Sequence, residues 1–155
     1  MTRLDQGSEL DGFRIGPLMH AGAMARIYDV SYADGREAPF PMVMKVPLMR
    51  EGDGGENIVS FEIEHQMLQV LHGAHVPRFV AAGDLGRVPY LVMEYLEGET
   101  LADRLKRGPI PAEESLNLAL QMAEAHEAAH EKGVIHRDLK PSYIKVEPEG
   151  KVKVL

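Results

Sequence analysis

The chain of 155 residues, 45% apolar and 26% charged, has the make-up of one globular domain with a core, which excludes a disordered or fibrous protein. Its 17 basic against 24 acidic residues, net −7, speak against nucleic acid or an anionic membrane as partner. The absence of cysteine excludes disulfides and thiolate metal sites and suits a reducing cytosol.

In chain order, residues 1–10 form a polar, acidic tail with no signal-peptide pattern, and no later run approaches a membrane span, so a cytoplasmic chain is expected. From Phe13 to Val46, short β-branched and aromatic runs broken by Gly and Pro predict three strands. The third, about Phe40 to Val46, puts Val43 and Lys45 on one face and Met42, Met44 and Val46 on the other. Arg50 to Asn57 is Gly-rich and charged and reads as a mobile loop. Asn57 is placed to cap a helix in which Phe61, Glu64, Leu68 and Leu71 share a face. Arg78 to Ala82 and Tyr90 to Tyr95 read as strands joined by a turn at Gly83 to Gly86.

After Glu97 the pattern becomes helical. Thr100 starts a short helix, and Pro111 with Glu113 and Glu114 opens a longer one running to about His130, ended by Gly133. Two last strands, Tyr143 to Val146 and Lys151 to Leu155, flank a turn at Pro148 to Gly150. A lysine inside the apolar third strand is costly unless its charge is met, and Glu64, on an otherwise apolar helical stripe, is the candidate partner of Lys45.

Behind this strand-rich half and its helices stands the run His136-Arg137-Asp138-Leu139-Lys140-Pro141-Ser142. With the preceding loop, strand lysine and helix glutamate in the right order, the chain from about Leu10 to Leu155 resembles the bacterial Hanks-type serine/threonine protein kinases. The resemblance implies an α+β, kinase-like fold: a five-stranded antiparallel N-lobe with one helix over residues 11–95, then the hinge and a truncated helical C-lobe over 96–155. It also implies ATP and magnesium as cofactors and a protein serine or threonine hydroxyl as phosphoryl acceptor.

By the same resemblance, Lys45 contacts the inner phosphates of ATP and Glu64 orients it. Against G-x-G-x-x-G the loop reads His20-Ala21-Gly22-Ala23-Met24-Ala25, keeping the middle glycine, with Ala25 for the third and Ile27 over the adenine. His20 for the first glycine stiffens the loop. Val43 and Met93 belong to the adenine pocket, Met93 at its back, and the Glu94 carbonyl and Leu96 amide bond the adenine edge. Asp138 matches the base that accepts the hydroxyl proton, and Lys140 the lysine that steadies the transferred phosphate and points to serine/threonine substrates. His136 reads as a packed structural residue, and Arg137 as the arginine that meets a phosphorylated activation loop.

Two departures bear on activity. Five residues after Asp138 the family's magnesium-binding asparagine is Tyr143, a phenol and a poor ligand for a hard cation. Lys151 to Leu155 resembles the strand before Asp-Phe-Gly, where the sequence ends. No metal-ligating residue is therefore expected, and this chain is expected to lack phosphotransfer. The alternative is a pseudokinase or truncated interaction module that binds nucleotide weakly. Self-association is expected through an apolar stripe of Leu116, Leu120 and Ala123 on the long helix.

His126-Glu127-Ala128-Ala129-His130 matches H-E-x-x-H, the zinc-hydrolase pattern. No clear third ligand follows at a suitable distance, and one substitution, His126 for an apolar residue, creates the match. The expectation is coincidence. The other four histidines read as surface or helix residues.

Overall fold

The computed structural model describes residues 4–49, 56–84 and 86–155. The chain divides into two compact units, Met1–Gln66 with Phe79–Tyr95, and Met67–Arg78 with Leu96–Leu155. Residues 67–78 thus group with the second unit. No helix among the described residues is long and apolar enough to cross a membrane.

The first unit is built on strands β1 (Glu9–Leu10), β2 (Phe13–Ala21), β3 (Ala25–Tyr32) and β4 (Met42–Pro47), helix α1 (Glu56–Val70) as far as Gln66, and strands β5 (Phe79–Ala82) and β6 (Leu91–Glu94). They make one antiparallel sheet in the order β1-β2-β3-β4-β6-β5. Six strands replace the expected five, because part of the presumed tail pairs with β2. The turn responsible is Asp11-Gly12, at φ 48° and 85°, with Leu10 paired to Phe13. Positive φ at both central residues is what a type I′ hairpin turn needs, and Asp-Gly supplies it at low cost. Within β2 the register slips between Ile15 and Leu18, where Pro17 lacks a ladder donor.

Alternation sorts the sheet's two faces. Phe13, Ile15, Tyr28, Val30, Met42, Met44, Val46, Tyr90 and Val92 form one buried cluster, with Met44 and Val92 wholly inaccessible. Burying side chains of this size contributes about 1.5–3 kcal/mol each, so this face carries the unit's stability. The opposite face holds Lys45. Phe61 and Leu68 of α1 are buried as their spacing predicted. Two details differ from expectation. Asn57 lies inside the helix, which already starts at Glu56, and its side-chain amide donates to the Leu48 carbonyl at 3.2 Å. Leu71 falls just past the helix end. Of the expected loop, residues 50–55 lie outside the described residues. At the Gly83 to Gly86 turn, Asp84 accepts from the Gly86 and Arg87 amides at 2.8 and 3.0 Å.

The second unit contains β7 (Glu99–Thr100), α2 (Leu101–Lys106), α3 (Ala112–Glu131), a 3-10 turn (Pro141–Tyr143), β8 (Ile144–Val146) and β9 (Val152–Val154). The three strands form an antiparallel sheet: β8 and β9 fall where two strands were expected, and β7 is the addition. The Thr100 hydroxyl caps α2, accepting from the Asp103 amide at 3.1 Å. α3 closes with a Schellman motif: Gly133 (φ 75°) donates to the His130 carbonyl and Val134 to that of Ala129, at 2.9 and 3.0 Å. Leu118, Ile144 and Val152 form the core between α3 and the sheet. Gln121 of α3 fastens the β8–β9 hairpin, donating to the Gly150 carbonyl and accepting from the Val152 amide, each at 2.9 Å.

His75, expected at the surface, is half-buried and joins this hairpin. Its Nδ1 donates to the Val152 carbonyl at 3.0 Å, and its own carbonyl accepts from the Val154 amide at 2.8 Å. The backbone is as tight near Gly98, at φ 104°, where a Cβ would run into the Val146 carbonyl.

Candidate functional site

The candidate residues fall into two groups, one in each unit. In the first, register decides who meets whom. Lys45 pairs across the sheet with Ile27 on one side and Leu91 on the other, and Val43 pairs with Met93. Directly paired residues share a face, so Ile27, Val43, Lys45 and Met93 lie together, opposite the buried cluster. α1 brings Glu64 to this face. The Lys45 ammonium donates to both carboxylate oxygens, at 2.6 and 2.9 Å, with the side chains 29% and 34% exposed. A half-exposed pair of this kind adds at most about 1 kcal/mol to stability. Its effect is positional: two of the ammonium's three donors are occupied, which fixes the direction of the third.

Gly22 and Ala25 flank the turn between β2 and β3. Gly22 donates to the Ala25 carbonyl at 3.0 Å, and the Met24 carbonyl accepts from the Leu48 amide at 2.8 Å. A Cβ on Gly22 would lie 3.2 Å from His20 Nε2, so the imidazole that replaces the first glycine already crowds the turn. Glu94 ends β6 opposite Met42, and the Tyr95 amide donates to the Pro41 carbonyl at 2.8 Å. Leu96, in the second unit, is buried.

In the second unit Asp138 and Lys140 are both exposed, with Lys140 Nζ 3.5 Å from Asp138 Oδ2. Lys140 caps the 3-10 turn, and the Tyr143 amide donates to its carbonyl at 2.9 Å. That turn sets the Lys140 ammonium 4.6 Å above the centre of the Tyr143 ring. Hydrogen bonding to Tyr143, then the Asp138 charge, raises the Lys140 pKa above the ordinary lysine value. Arg137 stands in the left-handed region at φ 65°, uncommon for a long side chain, and turns the backbone so that the Asp138 amide donates to His136 Nδ1 at 3.3 Å. The His136 ring packs 5.7 Å from that of Tyr143 and 6.1 Å from that of His126.

The structure thus gathers Ile27, Val43, Lys45, Met93 and Glu64 in one place and Asp138 and Lys140 in another. Sequence reasoning missed the second role of Tyr143. Its place in the motif marks it as a lost ligand, and its ring also lies under the Lys140 ammonium. That contact also answers whether magnesium fits there: a phenol with an ammonium over its face does not suit a divalent ion. For the H-E-x-x-H pair, His126 Nδ1 donates to the Met122 carbonyl at 2.5 Å, and its ring centre is 6.2 Å from that of His130. Among the described residues no three His, Asp or Glu side chains converge as a metal site. Chemically, each group presents an ammonium whose charge is met by a carboxylate, with donor capacity left over for one further acceptor.

Residues 21–155 match the family described as protein kinase domain. The chain is 36% identical over 137 residues to the serine/threonine-protein kinase pkn2 of Myxococcus xanthus, covering 87% of this chain and 16% of that protein. It is 29% identical over 150 residues to the serine/threonine-protein kinase PrkC of Bacillus subtilis, covering 96% of this chain and 23% of that protein. The chain therefore spans about a sixth to a quarter of the length of these curated relatives. The solved PknI kinase domain of Mycobacterium tuberculosis superposes with a TM-score of 0.76 over 99% of this chain and 62% of that one, and at 20% identity this likeness speaks to the fold. With an α+β kinase fold and an ordered set of kinase motifs, the chain belongs to the protein kinase domain family and resembles its bacterial serine/threonine members.

Proposed function

We propose that this chain is the nucleotide-binding and catalytic-loop part of a serine/threonine protein kinase, acting on ATP and a protein hydroxyl. The closed Lys45–Glu64 pair, 2.6 Å long on the face shared with Ile27, Val43 and Met93, carries the reading. In this reading the adenine rests against Ile27, Val43 and Met93, with its edge bonded by the Glu94 carbonyl and Leu96 amide. Gly22 and Ala25 cover the phosphates, and Lys45, oriented by Glu64, meets the inner ones. Asp138 takes the proton of the acceptor hydroxyl and Lys140 steadies the transferred group. Magnesium is the family's metal, and no step is assigned to it at Tyr143.

Tyr143 favours a second reading, a pseudokinase or interaction module that holds nucleotide without transferring phosphate. The exposed Leu116, Leu120 and Ala123 of α3 support self-association as a partner mode. The acidic, cysteine-free sequence supports a cytoplasmic location. Calorimetric titration of the chain with ATP in EDTA tests the nucleotide reading. Weak binding, reduced at least severalfold in Lys45→Ala, is expected; no heat at millimolar ATP would overturn it. Labelled ATP with a basic acceptor protein tests transfer itself. No incorporation is expected of this chain, and incorporation that vanishes in Asp138→Ala would overturn that expectation and favour the enzyme over the pseudokinase.

A further inference from the structure

We infer that Tyr143 is a positioning residue for Lys140, a fixed clip that aims the ammonium in the catalytic loop where relatives with asparagine offer a metal ligand. The phosphate-binding part of this inference rests on the nucleotide reading above; the clip itself does not.

Three observations converge. The 3-10 turn Pro141–Tyr143 bonds the Tyr143 amide to the carbonyl of Lys140, the extended residue that precedes it, at 2.9 Å, which holds the two residues close together. The ammonium is 4.6 Å from the ring centre, within the range of cation–π attraction. Asp138, 3.5 Å from Nζ, attracts the charge without a short bond that would hold it. The ring is itself braced, with His136 5.7 Å away and the Tyr143 carbonyl accepting from the Leu155 amide at 2.8 Å.

A lysine on a free four-carbon stem loses much rotamer freedom when it grips an anion. Restricting it beforehand removes that loss from binding, as with any preorganised contact. An asparagine at 143 would leave Lys140 mobile and offer an oxygen to a cation. The tyrosine ring gives the Lys140 charge, present with either residue, a defined direction.

The test is NMR of the lysine ε-methylene groups in the whole chain, with Tyr143→Phe and Tyr143→Leu, followed by ATP titration in EDTA. A proton over an aromatic face is shielded, so the Lys140 ε resonance is expected upfield of the other lysines, to remain upfield by a smaller amount in Tyr143→Phe, which keeps the ring and loses the hydroxyl, and to join them in Tyr143→Leu. Loss of the clip is expected to weaken ATP binding about threefold in Tyr143→Leu, and this loss should disappear when Lys140 is already alanine. Tyr143→Phe keeps the turn and the ring, so it guards against misfolding of the leucine variant. An unshifted Lys140, or a shift that survives Tyr143→Leu, overturns the inference. No ATP binding by the unsubstituted chain, with the Lys140 shift intact, overturns the nucleotide reading and upholds the clip.

Discussion

Tyr90 sits 2% exposed in the first unit's main cluster, and its hydroxyl donates to Asp11 Oδ2 at 2.8 Å, across 79 positions of sequence. Burial first, and the Asp11 bond second, push its pKa well above the ordinary tyrosine range. An unfolded tyrosine ionises near pH ~10 while the folded one stays neutral, so above that pH the unfolded state binds fewer protons and is favoured. The stability linked to this group is thus present below about pH 10 and is lost as pH rises beyond it. Tyr90→Phe should cost about 1 kcal/mol at neutral pH and flatten the alkaline decline, as measured by urea unfolding at neutral pH and near pH ~10.5. An unchanged decline would mean that other groups govern it. The same bond ties the Asp11-Gly12 hairpin to the sheet. A local Asp-Gly signal was available for that hairpin, but the polar composition of residues 1–10 outweighed it.

Among elements, α3 has two contrasting sides. Its inner side is held by Gln121, whose amide satisfies two backbone groups of the β8–β9 hairpin at 2.9 Å each. Replacing it with leucine leaves both unpaired, so Gln121→Leu should destabilise the chain by about 2 kcal/mol in chemical unfolding. A change near zero would show that water replaces the amide. The outer side leaves Leu116 and Leu120 at 73% and 59% exposure. Apolar stripes of that kind favour association, so light scattering should find a dimer or larger species that Leu116→Glu with Leu120→Glu returns to monomer. A monomer at high concentration before any substitution would contradict this. Spacing gave the exposed stripe of α3, but its inner side, with Leu118 and Gln121, came from the hairpin it packs on, whose strands are too short to specify a pairing.

For the whole molecule, the nucleotide reading proposed above carries a prediction about magnesium. Lys45 and Lys140 are protein-borne cations, and position 143 does not suit magnesium. ATP at a hundredfold excess over its Kd would stabilise the fold by about 2.7 kcal/mol, enough for a visible melting shift. That shift should be small and nearly equal in magnesium and in EDTA, and reduced in Lys45→Ala. A shift several degrees larger with magnesium would mean that a carboxylate such as Asp138 takes the metal.

The sequence by itself determined the kinase resemblance, the main helices and strands apart from the short β1 and β7, and the pairing of Lys45 with Glu64. Those signals are local: periodicity, capping residues such as Thr100 and Gly133, and a lysine in an apolar strand that needs a counter-charge. Tertiary structure decided the rest. Ile27, Val43, Lys45 and Met93 share a face because of strand register, which depends on partners far along the chain. His75 became a hairpin anchor because residues 67–78 meet β9, almost 80 positions away, as the separation of 77 between His75 and Val152 records. Tyr143 could be read as a lost ligand from its place in a motif. That it instead holds Lys140 depends on the pitch of one short 3-10 turn, a geometry that residue types do not specify until the chain on both sides of it is packed.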